Sequence, residues 1–153
     1  MNDYRDLLEV EILQLPGNED LPLPTYQTEH AAAMDLHAAV TETLEIHPGQ
    51  VVLVPCGFSL AVPIGYEAQV RPRSGLAAKH AILVVNSPGT IDSDYRGEVK
   101  VILQNNGDRA FILERGTRIA QMLICPVPKV VWKKVDTLPE TQRGAGGFGH
   151  TGT

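Results

Sequence analysis

The feature that most constrains this chain is a period-two alternation of apolar and polar residues in short runs, each cut off by proline or glycine. Leu8, Val10 and Ile12 alternate with Glu9 and Glu11. Tyr66, Ala68 and Val70 alternate with Glu67, Gln69 and Arg71, and Val99, Val101 and Leu103 alternate with Glu98, Lys100 and Gln104. Val51-Val52-Leu53-Val54 is a short apolar run with β-branched members. Successive side chains of a strand point to opposite faces, so these runs read as strands. Pro48-Gly49, Pro63-Ile64-Gly65, Pro88-Gly89 and Asn105-Asn106-Gly107-Asp108 separate them as turns. Many short strands with frequent turns predict an all-β sandwich, barrel or jelly roll. One helix fits: Ser74 caps about two turns over residues 75–80.

A chain of 153 residues is the size of one domain. It can bury roughly 68–70% of its unfolded surface without disulfide or metal support. The net charge is −5, from 13 basic and 18 acidic side chains. A long nucleic-acid polymer calls for a basic face, so such a partner is not expected; a small anionic ligand needs only a few local arginines. Cys56 and Cys125 have no metal-type spacing and read as lone buried thiols, with a single disulfide weakly supported. The first residues lack a signal-peptide pattern and no apolar run reaches membrane-spanning length. The expected setting is the cytoplasm, with no membrane contact.

The last part of the chain differs. Apolar periodicity stops at Asp136, and residues 143–152 contain five glycines in ten residues. The expected organisation is a β domain over 1–136 and a mobile glycine-rich tail over 137–153. The tail reads either as a frayed terminus or as a lid. One cation, Arg143, and one aromatic, Phe148, inside flexible chain are what a lid over an anionic aromatic ligand requires. Residues 144–149 also fit G-x-G-x-x-G, but the four residues after them leave no room for the helix a dinucleotide fold needs. What survives is a glycine-rich backbone wrapping phosphate oxygens, with Arg143 adding charge.

Three other segments carry chemistry. Arg71-Pro72-Arg73-Ser74-Gly75-Leu76-Ala77 sets two arginines before a helix start. It reads equally as a phosphate site or as a capped surface helix. Asn86-Ser87-Pro88-Gly89-Thr90-Ile91-Asp92-Ser93-Asp94-Tyr95-Arg96-Gly97-Glu98 is the densest polar segment, a hairpin-like loop between an apolar run and an alternating strand. On physics alone a surface turn is the better reading. Met34-Asp35-Leu36 places one carboxylate beside an alanine run, by default an exposed strand aspartate. No histidine pair has metal spacing and no serine sits in a Gly-x-Ser-x-Gly elbow, so triad hydrolysis has no support.

Taken together, these segments resemble the homotrimeric dUTP diphosphatase family over nearly the whole chain. The matching motifs, in order, are Ala-Ala-Met-Asp-Leu (32–36), Arg-Pro-Arg-Ser-Gly-Leu-Ala (71–77), the polar loop 86–98, Arg-Ile-Ala-Gln-Met (118–122) and Arg-Gly-Ala-Gly-Gly-Phe-Gly (143–149). The third and fifth are long and specific. The resemblance implies a jelly-roll-like fold and a trimer whose three sites each draw on more than one subunit, with the tail closing over a neighbour's site.

It also implies roles. Asp92 resembles the general base that activates water for attack on the α-phosphorus of dUTP. Asp35 resembles the carboxylate that holds Mg2+ through water. Arg73, Ser74, Gly75 and Gln121 look like phosphate ligands, and Arg143 like a γ-phosphate grip. Asn86, Gly89, Thr90, Ile91 and Lys100 look like the uracil reader. Tyr95 looks like a platform that excludes a 2′-hydroxyl, and Phe148, followed by Gly149, like a lid that stacks on uracil. Ala33 stands where the family usually has glycine, and His150 where serine or threonine is common; an imidazole there is still able to meet a phosphate. Two rivals remain: a dCTP deaminase of the same fold, which lacks the glycine-rich tail motif, and a non-catalytic jelly-roll binding protein, which would not need Asp92, Tyr95 and Phe148.

Overall fold

In the computed structural model, residues 7–147 are described. The strands are β1 (Glu11–Gln14), β2 (Met34–His37), β3 (Leu44–Ile46), β4 (Val51–Ala61), β5 (Tyr66–Arg71), β6 (Ile82–Val84), β7 (Gly89–Ile91), β8 (Glu98–Asn105), β9 (Phe111–Leu113) and β10 (Arg118–Pro126), with helix α1 (Ser74–His80) after β5. Two four-stranded sheets, β1-β4-β8-β6 and β2-β10-β5-β7, enclose one apolar core, and β3-β9 is a separate pair. This is the all-β class that the alternation predicts, with its one short helix.

The alternation explains which faces are buried. Val99, Val101 and Leu103 of β8 point into the core, as do Ala68 and Val70 of β5. The run at Val51 opens an 11-residue strand, because Val54, Cys56, Phe58 and Leu60 continue the inward face past Pro55. Gly57 absorbs a register shift between Pro55 and Ser59, and its φ of +76° is left-handed, where a side chain would be strained. Both cysteines are free, Cys56 buried and Cys125 half-buried.

Several expectations shift. Ser74 does not cap α1; it is the first helical residue, and Arg73 holds the N-cap position in extended conformation without a side-chain cap. The run from Leu8 becomes a strand only from Glu11, and Leu8, Ile12 and Leu13 stay exposed. Asn105 is no turn residue. It ends β8 fully buried, donating from Nδ2 to the carbonyls of Ile46 at 2.8 Å and Arg109 at 2.7 Å, and accepting from Gly107 N–H at 2.9 Å. Every polar atom of that side chain is thereby paired, as burial demands.

The polar loop is more than a hairpin. β6 and β8 do pair, but Gly89–Ile91 between them leaves that sheet and joins β5 in the other. β10, which shows no clean alternation, buries three of four successive positions, Ile119, Ala120 and Met122, across a bulge near its start. Pro126 ends the last strand, and residues 127–147 carry only turns. Among the described residues no helix is long and apolar enough to cross a membrane.

Candidate functional site

Antiparallel register brings distant motifs together. Gln121 of β10 is the register partner of Asp35 on β2 and of Arg71 on β5. Asp35 is therefore buried rather than exposed, which corrects the default reading of a surface aspartate. Its two carboxylate oxygens are divided between two guanidiniums: Arg73 Nε donates to Oδ1 at 3.0 Å, and Arg118 Nη1 donates to Oδ2 at 3.2 Å. Arg73 also reaches the Arg118 carbonyl from Nη1 at 3.4 Å, and Gln121 Nε2 donates to the Pro72 carbonyl at 2.9 Å. Arg118 is the residue the sequence reading passed over. Its signal was its place at the head of the 118–122 motif.

Two guanidiniums against one carboxylate leave this cluster cationic. That suits an anion, and each arginine keeps donors free for one. Ser74 and Gly75, in the first turn of α1, are exposed beside Arg73. Behind them, burial lowers the His37 pKa below its usual range, against the pull of the Asp35 charge and with help from Arg118 and Arg73. That shift favours the neutral imidazole over the charged one.

A second constellation surrounds β7. Val70, Val84, Asn86, Gly89, Thr90, Ile91, Lys100, Val101 and Ile102 line a narrow slot of about 50 Å³. Among the described residues β7 is the end strand of its sheet, paired only with β5, so its outer edge presents peptide N–H and C=O groups without a ladder partner. Gly89 is buried in the wall of the slot, and a Cβ there would press on Asn86 Nδ2 at 3.2 Å and Val70 Cβ at 3.3 Å. A wider cleft of about 270 Å³ shares Thr90, Ile91 and Lys100 with the slot and is further lined by Leu53, Asp92, Tyr95, Glu98 and Val99. Asp92 is exposed there directly after β7, and the turn behind it closes with Tyr95 N–H donating to the Asp92 carbonyl at 3.1 Å.

Within one chain the Asp35 carboxylate stands apart from the β7 slot. Asp35 lies on β2 and Thr90 on β7, the opposite edges of one sheet. Three strand spacings separate them, roughly 14 Å. Arg143 lies in the exposed tail and donates from Nε to the Gly146 carbonyl at 2.9 Å, tied to neither constellation. Phe148, Gly149 and His150 lie outside the described residues. Among the described residues no group of three or more His, Cys, Asp or Glu side chains is placed to hold a metal ion. Asp35 alone offers a carboxylate beside the anion-binding groups. With about four lone-pair sites and two guanidinium donors, it keeps capacity for water, which fits a hydrated cation held at second hand but not an all-protein cage.

The dUTPase family model matches residues 19–152. The chain is 57% identical over 146 residues to the deoxyuridine 5′-triphosphate nucleotidohydrolase of Maricaulis maris, covering 94% of this chain and 96% of that one. It is 52% identical over 147 residues to the enzyme of the same name from Anaplasma marginale, covering 96% and 100%. The fold matches the dUTPase of Staphylococcus bacteriophage 80alpha solved with dUPNHPP, with a TM-score of 0.85 at 22% identity over 95% of this chain and 99% of that one. A dUTPase from phage phi11 of S. aureus, described with a structural Mg(II) ion, matches with a TM-score of 0.75 at 20% identity over 85% and 98%. With the family model spanning most of its length and two relatives above half identity from end to end, the chain belongs to the dUTPase family.

Proposed function

We propose that this protein hydrolyses dUTP to dUMP and pyrophosphate, keeping uracil out of DNA and supplying dUMP for thymidylate synthesis. One observation carries the reading: an unpaired strand edge, β7, flanks a slot too narrow for bulk, and a carboxylate follows it directly at Asp92. A peptide edge offers alternating donors and acceptors, so uracil pairs with it as with a base and cytosine presents the wrong pattern. A thymine methyl finds no space between Asn86, Gly89 and Lys100. Tyr95 forms the sugar wall of the adjoining cleft, closing it to a 2′-hydroxyl.

At the triphosphate, Asp92 orients a water and takes its proton as the oxygen attacks the α-phosphorus in line. The new bond is water oxygen to phosphorus; the bond broken joins that phosphorus to the bridging oxygen, and pyrophosphate leaves. Arg73, Ser74, Gly75 and Gln121 hold the phosphate oxygens, and Arg143 takes the γ-phosphate. Phe148 stacks on the base, contributing about 1–3 kcal/mol by analogy with other base–aromatic contacts, and Gly149 belongs to the same substrate contact. Mg2+ is the cofactor; when bound it supplies charge neutralisation and fixed triphosphate geometry. Asp35 is the residue that would hold it, through water.

We place each active site between subunits of a homotrimer in the cytoplasm. The roughly 14 Å between β2 and β7 within one chain supports pairing the β7 slot of one copy with the Asp35 cluster of another. Val131 and Trp132, 97% and 91% exposed, support a second copy as their cover. Residues 137–153 would then act as the lid over a neighbour's site, on a body formed by 1–136. The test is pyrophosphate release with Mg2+ from dUTP, dTTP, dCTP and UTP. Rapid release from dUTP alone is expected. Ammonia release from dCTP would instead indicate the deaminase, and turnover of none the binding protein.

A further inference from the structure

Gly97 is a glycine for reasons of space, not of backbone. Its φ lies outside the left-handed region, so alanine suits its conformation. A Cβ there would nevertheless lie 2.6 Å from Tyr95 Cζ and 3.0 Å from Cε2, and closer still to the hydroxyl oxygen. The tyrosine ring therefore rests directly on the Gly97 peptide. Its hydroxyl donates to the Glu98 carbonyl at 3.0 Å.

That acceptor is firmly held. Glu98 opens β8, its neighbour Val99 is buried, and its own Oε1 accepts the N–H of Gly57 on β4 at 3.0 Å. Tyr95 itself is 46% exposed, so core packing does not fix its ring. What fixes it is one hydrogen bond and a seat without a side chain. The ring in turn forms a wall of the cleft shared with Asp92 and Lys100.

We propose that Gly97 is a positioning residue for sugar discrimination: by lacking a side chain it seats the Tyr95 ring where the ring excludes a 2′-hydroxyl. This rests on Tyr95 acting as the sugar wall. A methyl group at position 97 lifts the ring, breaks its bond to the Glu98 carbonyl and opens the cleft edge. dUTP then loses its platform while UTP loses a barrier.

The experiment measures kcat/KM for dUTP and UTP in the full chain and in Gly97→Ala, Tyr95→Ala and the double variant, with urea denaturation of each. Gly97→Ala should lower the dUTP/UTP ratio by about tenfold or more, and should lower it no further once Tyr95 is alanine. An unchanged ratio in a folded Gly97→Ala protein overturns the proposal. So does an equal loss with and without the ring, which would make the glycine a matter of backbone alone. If Gly97→Ala does not fold, recovery of folding in the double variant supports the ring clash, and failure of both overturns it. A wild-type protein that does not prefer dUTP to UTP sinks the sugar-wall reading itself, whereas a selective wild type with an indifferent Gly97→Ala sinks only the role of Gly97.

Discussion

Arg73 Nε lies 3.0 Å from Asp35 Oδ1, a contact between residues 38 positions apart that ties the start of α1 to strand β2. With Arg118 on the other oxygen, Asp35 is, among the described residues, the only negative charge in direct contact with two positive ones. Asp35→Asn leaves those guanidiniums facing each other. Stability should fall by about 1–3 kcal/mol, less than for a fully buried pair because Arg118 is half exposed. Urea midpoints measure this. The Mg2+ concentration needed for half-maximal turnover should rise about 10–100-fold; an unchanged requirement would free Asp35 of any metal role.

The Asp92 side chain is exposed in its cleft, and only its backbone carbonyl takes part in the turn. Asp92→Asn should keep dUTP binding within a few-fold while turnover drops about 10²–10⁴-fold. Calorimetric titration and pyrophosphate release separate the two. Full turnover in this variant would move the base elsewhere.

Among the described residues the buried core ends at Met122, with Ile124 packed against it. Ending the chain at Pro139 should therefore leave the unfolding free energy from urea titration within about 0.5 kcal/mol of the full chain. Hydrolysis should fall about a hundredfold or more, because the base and γ-phosphate lose their closing contacts. Normal turnover by the shortened chain would dismiss the lid.

Burial, with a smaller contribution from the charge of Glu98, raises the Cys56 thiol pKa from 9.0 to about 12. The folded value lies above the unfolded one, so the associated stability is complete below pH 9 and is lost as pH rises toward 12. Urea midpoints from pH 8 to 11 should fall more steeply in the wild type than in Cys56→Ala. In the folded protein, iodoacetamide at pH 8.5 should leave Cys56 unmodified.

Ala81 closes α1 at φ 53°, the left-handed region, while its N–H bonds to the Ala77 and Leu76 carbonyls. A Cβ is costly there, and glycine is the usual solution. Ala81→Gly should stabilise the fold by about 0.5–1 kcal/mol, net of the added chain entropy. A lower urea midpoint would mean that the Ala81 methyl contributes packing that outweighs its strain.

Much of the fold was legible because strand alternation is local. Ala68, Val70, Val99, Val101 and Leu103 declare their buried face by spacing alone. The candidate site was legible as motifs, since Asp92 and Tyr95 are close in sequence and share one cleft. Other features were not. Strand β10 hides its period behind a bulge and apolar residues on both faces. The exit of β7 from the β6–β8 pair depends on where β5 lies. Nothing near Arg118 in sequence shows that it shares a carboxylate with Arg73.

The all-β class was therefore readable from residue type and short-range order, and the family from the resemblance of five ordered motifs. Long-range folding alone buries Asp35 between two arginines, leaves β7 at the end of its sheet and sets Asp35 and Thr90 on opposite edges of that sheet. Register and strand order are set by long-range pairing, where each contact depends on all the others. No local pattern encodes them.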